Sequence, residues 1–272
     1  IPVDVAPYNK IKQDKAVAVV IGNRSYSYNN VPNVDFAERD ARIFRSYLSR
    51  TLGLKNSNIL YLNDAKFVEF TEIFGSEADH KGKLFTLAKT GGNMYIYYSG
   101  HGAPDLNSGS AYILPSDSDP NKVQLSGYSI DRLLKNLSLI QNEKQTGHIN
   151  IFIDACFSGG TNGGSFMINN ISPAVLKLKS PNFVKGISLF SASEKDQISS
   201  WYPDARHGLF TYFLLAGMLG FADVDNDRII TNSELSNYIN IGVSSKIRDI
   251  GYNREQNPTF VGDKKMVFLK YD

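Results

Sequence analysis

The feature that most constrains this chain is a repeated alternation of short apolar runs with longer segments of helical periodicity. Residues 16–22, 58–62, 94–98, 148–153 and 186–191 are brief, apolar and rich in β-branched or aromatic side chains. Runs of that kind, without polar alternation, read as strands buried on both faces. Between and after them, residues 35–52, 69–90, 130–139, 208–219 and 233–248 carry apolar side chains at helical spacing, and residues 265–269 form a closing strand. Gly53 stands just past the first helix, where a helix terminator belongs. Strands alternating with helices imply an α/β architecture, a parallel sheet covered on both faces. In such folds ligands bind at the carboxyl ends of the strands.

Within 272 residues this pattern fits a single domain, 1–272. Residues 1–15 serve as an irregular approach segment, and 221–272 supply a C-terminal helix and the closing strand. The opening Ile1-Pro2-Val3-Asp4 lacks an initiator Met and a signal peptide, as expected of a processed or excised form. A net charge of +2 and scattered Lys and Arg argue against nucleic acid as a partner. No stretch is apolar over 18 residues, so no membrane span and a soluble protein are expected. With one cysteine, no internal disulfide can form.

That cysteine, Cys156, and one of four histidines, His101, each follow the end of an expected strand, in Asp154-Ala155-Cys156-Phe157-Ser158-Gly159 and Ser99-Gly100-His101-Gly102. A thiol titrates close to neutral pH and imidazole is the natural proton shuttle there, so two strand ends on one sheet edge would assemble a nucleophile with its acid/base. The backbone N–H groups of Gly102 and Cys156 are then candidates for an oxyanion hole. The competing reading is a buried structural thiol beside a loop histidine.

Tyr97-Tyr98-Ser99-Gly100-His101-Gly102 and Asp154-Ala155-Cys156-Phe157-Ser158-Gly159 resemble the His and Cys motifs of the caspase and metacaspase clan. Val19-Val20-Ile21-Gly22-Asn23, Glu38-Arg39-Asp40-Ala41, Ser200-Trp201 and His207-Gly208-Leu209-Phe210 resemble further family segments, and the nearest likeness is to bacterial caspase-like proteins. The resemblance implies a caspase–haemoglobinase fold with a mostly parallel six-stranded sheet sandwiched between helices. It also implies a cysteine endopeptidase that works through an acyl-enzyme. Ser99 and Gly100 would only shape the loop. Phe157 departs from the His or Gln of many relatives, beside the nucleophile and outside its chemistry.

The resemblance further places Asp154, with Asp40 as a second acid, in the pocket for the residue before the cut, with Ser200, Trp201 and Tyr202 nearby. Two carboxylates there favour Arg or Lys. Aspartate-cleaving caspases carry an arginine after the Ser-Trp pair, where this chain has Tyr202. The alternative is that both acids cap a helix or bridge the sheet.

Asp223, Asp225, Asp227, Ile229 (through its carbonyl), Thr231 and Glu234 follow the ligand spacing of a calcium loop, with Arg228 where glycine is expected. The bland reading is an acidic turn capping the helix near Ser233. Calcium is thus a possible ligand, and no cofactor is needed for the chemistry. His80, His148 and His207 read as structural or surface residues, and no zinc spacing is present. Residues 158–182, with Lys177, Lys179 and Lys185 close by, could be a self-processing loop of a zymogen. The expected partners are a peptide or protein substrate and a regulatory partner or domain outside this chain. Two other classes fit the same pair: a catalytically silent scaffold with this fold, and a transpeptidase.

Overall fold

The computed structural model describes residues 1–158, 184–194, 197–252 and 254–272. Its centre is a six-stranded sheet. Five strands are parallel: β1 (Val17–Gly22), β2 (Ile59–Asn63), β3 (Met94–Ser99), β4 (Ile149–Asp154) and β5 (Ile187–Ser191). The sixth, β6 (Thr259–Val261), runs antiparallel along β5, and the spatial order is β6-β5-β4-β3-β1-β2.

The sixth strand is a correction. Sequence patterning assigns the closing strand to residues 265–269. The segment Val267–Lys270 is indeed extended, but it pairs with Ile229–Thr231 in a separate two-stranded ribbon. Thr259–Val261 escapes a pattern search because three residues between Pro258 and Gly262 carry no period.

Alternate side chains of each strand feed two cores. Ala18, Val20, Tyr95, Tyr97, Phe152 and Phe190 point to one face. There they meet helices α1 (Ala37–Arg50), α4 (Leu209–Ala216) and α5 (Asn232–Asp249). Val19, Ile21, Ile96, Tyr98, Ile151 and Leu189 point to the other, against α2 (Phe67–Phe74) and α3 (Ile130–Lys144). Burial on both faces is why these strands read as unbroken apolar runs. The single helix expected over 69–90 is two: α2 ends at Gly75, whose φ of 89° stops it, and a short helix resumes at Lys83–Leu87.

Residues 1–15 contain no helix or strand, yet they are tied down. Val3, Ala6 and Asn9 are buried, Tyr47 donates to the Val3 carbonyl (2.8 Å), and Arg50 donates to the Ala6 carbonyl (2.9 Å). The approach segment is therefore packed against α1. No described helix is long and apolar enough to cross a membrane.

Candidate active site

The parallel register sets Ser99 of β3 opposite Asp154 of β4. His101 and Cys156 each lie two residues further on, past the carboxyl ends of neighbouring central strands. The loops stay together beyond the ladder. Gly100 N–H donates to the Asp154 carbonyl (3.2 Å), and a Cβ placed on Gly102 would stand 2.7 Å from the Cys156 carbonyl oxygen.

His101 is held from several sides. Its backbone N–H donates to the Tyr26 hydroxyl (2.7 Å), its carbonyl accepts from Tyr98 (2.8 Å), and its ring lies 5.0 Å from that of Tyr26. Its Nε2 is 2.8 Å from the Pro32 carbonyl. A carbonyl can only accept, so Nε2 carries the proton and Nδ1 keeps the lone pair. Burial pushes the imidazole down to about 4, against a smaller opposing effect of the Pro32 carbonyl. Burial likewise pushes the Cys156 thiol up, while hydrogen bonds from the backbone N–H of Ser199 and of Cys156 itself pull it back, as does the charge of Arg254. At neutral pH the two groups rest as thiol and neutral imidazole.

The depressed imidazole has a consequence for stability. Below 6.5 the unfolded chain binds a proton at His101 that the folded chain refuses until about 4. Stability is therefore lost as pH falls through that window, by about 3 kcal/mol from this residue. Denaturant unfolding at pH 7 and pH 4 is expected to show a smaller loss for His101→Gln than for wild type. Equal losses would refute the burial effect.

A model of the caspase domain matches residues 15–265, nearly the whole chain. The chain belongs to the caspase family. Its fold agrees with that of caspase-1 from Spodoptera frugiperda in a crystal structure, with a TM-score of 0.62 at 17% identity, over 100% of this chain and 97% of that one. No curated protein sequence matches it. The family is one of cysteine peptidases, which makes the strand-end pair of this caspase domain the place to look for chemistry.

Below the pair lie the two acids. Asp40 faces inward from α1 among Ala37, Ala41, Phe44 and Leu48 and is 1% exposed, an unusual place for a carboxylate. It contacts His207 Nδ1 through Oδ1 and accepts from the Gly208 N–H through Oδ2 (2.8 Å). Asp154 accepts from Ser199 Oγ (2.8 Å), Thr211 Oγ1 (2.6 Å) and Thr211 N–H (3.2 Å). Burial raises both acids above the usual carboxylate range, Asp40 to about 6. Gly208 separates them: a Cβ there would stand 2.2 Å from Asp154 Oδ2 and 3.2 Å from Asp40 Oδ2. Both acids thus cap the amino end of α4. They also retain acceptor capacity, since a carboxylate offers about four lone-pair sites.

Of the other sequence candidates, Trp201 pairs with Gly208 in a short antiparallel ribbon and meets the Phe36 ring edge-on at 5.7 Å. That puts it beside the two acids. Tyr202 turns toward Tyr212 (5.0 Å between rings) and Lys246. Ser200 has no exposed surface, and its hydroxyl accepts from Arg254 (2.9 Å) while its N–H donates to Gln256 (2.9 Å). His148, half-hidden, contacts Ser188 Oγ (2.8 Å), as a structural histidine should. The suggested processing loop lies outside the described residues from 159 to 183, with Lys177 and Lys179; Lys185 is within them.

The acidic loop is only partly assembled. Carboxylate oxygens of Asp223, Asp225 and Asp227 lie within 4.8 Å of one another. Glu234 is divided: Oε2 accepts from the Thr231 N–H (2.9 Å) and hydroxyl (2.8 Å), a capping box at the start of α5, while Oε1 accepts from the Val224 N–H of the loop (3.3 Å). Ile229 and Thr231 lie in the strand paired with Val267–Lys270, and Arg228 takes φ 67°, the left-handed conformation for which glycine was expected.

Sequence reasoning missed four residues here. Pro32 acts through a carbonyl, which no side-chain motif announces. Tyr26 and Arg254 come from loops far from either motif. His207 was visible in its motif but had no partner until the fold brought Asp40 to it.

Proposed function

We propose that this caspase domain is an active cysteine endopeptidase that cuts after Arg or Lys. Cys156 attacks the scissile carbonyl as its proton passes to Nδ1 of His101. His101 then protonates the leaving amine, giving an acyl-enzyme, and afterwards activates the water that hydrolyses it. The N–H groups of Gly102 and Cys156 stabilise the oxyanion. The observation that carries the reading is the Pro32 carbonyl on His101 Nε2, because it fixes the tautomer whose Nδ1 can accept a proton. Asp40 and Asp154 supply the charge that a guanidinium or ammonium pairs with, and Trp201 walls the pocket.

A second specificity has its own observation. Arg254, seated on Ser200 and close enough to Cys156 for their charges to interact, would suit an acidic residue before the cut. Fluorogenic peptides that differ only at that residue decide between them. The basic reading expects Arg and Lys peptides to turn over fastest; faster turnover of the Asp peptide overturns it.

No cofactor takes part in this chemistry. The acidic loop follows the carboxyl end of the helical segment whose amino end carries Asp40 and Asp154, so the segment's length separates loop and dyad. Chelation is expected to leave kcat/KM within about twofold. Calorimetric titration with calcium of wild type beside Asp225→Ala tests the loop itself. A chelator that abolishes activity would contradict the independence of the two sites.

A further inference from the structure

His207 is the least explained group near the site. It is 1% exposed, and each ring nitrogen faces a carboxylate: Nδ1 meets Asp40 Oδ1 and Nε2 lies 3.1 Å from Asp4 Oδ1. Asp4 belongs to the N-terminal segment, is half exposed, and is itself paired with Arg39 on α1 (2.8 Å). Ionised carboxylates only accept, so a ring between two of them carries a proton on each nitrogen or shares one with a carboxylate. The titratable neighbours are Asp40 and Arg39 from α1, Asp4 from the N-terminal segment, Tyr212 from α4 at 6.4 Å between rings with the Ile1 ammonium on its hydroxyl (3.1 Å), Asp154 across Gly208, and Tyr97 from β3, close enough to feel both acids.

We propose that His207 is a positioning residue that orients and keeps ionised the Asp40 carboxylate, and that Asp4 on the N-terminal segment completes this device, so that the segment sets how well the pocket takes a basic side chain. The inference rests on the basic-pocket reading above. A buried carboxylate without a cation or donor takes up a proton, and burial already draws Asp40 toward that state. The His207 ring, donating through Nδ1, opposes this, and Asp4 on Nε2 holds the ring with that donor toward Asp40. Removing either shifts Asp40 toward its neutral acid and leaves Asp154 alone to meet the substrate's charge.

The test reads binding without chemistry. In Cys156→Ala protein, calorimetry compares a peptide ending in Arg amide with the same peptide ending in Ala amide, from pH 5 to 8. The expected result is Arg binding at least ~10-fold tighter at pH 7.5, a preference that fades as pH falls and Asp40 is protonated. Adding His207→Ala should cut the preference about tenfold, whereas His207→Asn, which keeps a donor in the place of Nδ1, should retain most of it. Asp4→Asn lies on the surface and leaves folding intact; it should move the fading point upward in pH. A preference indifferent to His207→Ala and to Asp4→Asn overturns the inference alone. If His207→Ala does not fold, an unmoved fading point in Asp4→Asn overturns it. Equal binding of both peptides by the parent overturns the basic pocket as well. A wild type that prefers Arg in binding but hydrolyses nothing leaves this device standing and refutes the peptidase.

Discussion

Cys156→Ala is expected to lower kcat/KM for an Arg-containing peptide by at least ~10³-fold, to the level left by binding and oxyanion donors. The size follows from the division of labour. The described residues contain one cysteine, and it sits at the end of a central strand beside the end that carries His101. Among the described residues the nearby side chains are hydroxyls such as those of Ser158 and Ser199, far weaker nucleophiles than a thiol near neutral pH. His101→Ala is expected to cost a similar factor, since a buried neutral thiol ionises only if a base takes its proton. The double variant should then be little worse than either single one, because two members of one proton-transfer unit do not contribute additively. Peptide turnover, measured beside thermal unfolding, checks this: Cys156→Ala removes one sulfur from a buried site and should remain folded. Substantial hydrolysis by the folded variant would refute the nucleophile. An inactive wild type with the same fold would favour the scaffold reading.

How much of this was legible in the residues depends on the kind of signal. Four of the five parallel strands were readable because they are buried on both faces, which leaves an apolar run that composition cannot hide; the edge strand β2, only partly buried, was readable from its short apolar run alone. The strand-end positions of His101 and Cys156 followed directly. The sixth strand was not readable: it is three residues long, and its pairing with β5 is fixed by tertiary context rather than by its own pattern. The acids were visible as residues but not as a pair of caps on α4, since that depends on Gly208 letting the helix end approach both. Pro32 could not be found at all, because its role belongs to a carbonyl that every residue has.

Asp154→Asn is expected to reduce kcat/KM for the Arg peptide by ~30- to 100-fold while changing an Ala peptide by less than about threefold. The asparagine keeps an oxygen for Ser199 or Thr211, so the amino end of α4 remains capped and the dyad stays in place. What disappears is the negative charge two residues from Cys156. A cation entering a desolvated pocket loses its hydration and regains that energy only from a charged partner. The selective loss therefore reports charge pairing, whereas an equal loss on both peptides would report a disturbed helix end and reject the pocket assignment. Arg254→Ala sharpens the comparison. If the pocket takes Arg, removing this cation should leave turnover of the Arg peptide within about threefold, because the repulsion it relieves is offset by a thiol that ionises less readily. If the pocket takes Asp, the same substitution should abolish turnover of the Asp peptide. The two variants thus part on one substrate, and only the basic pocket predicts loss at Asp154 with tolerance at Arg254.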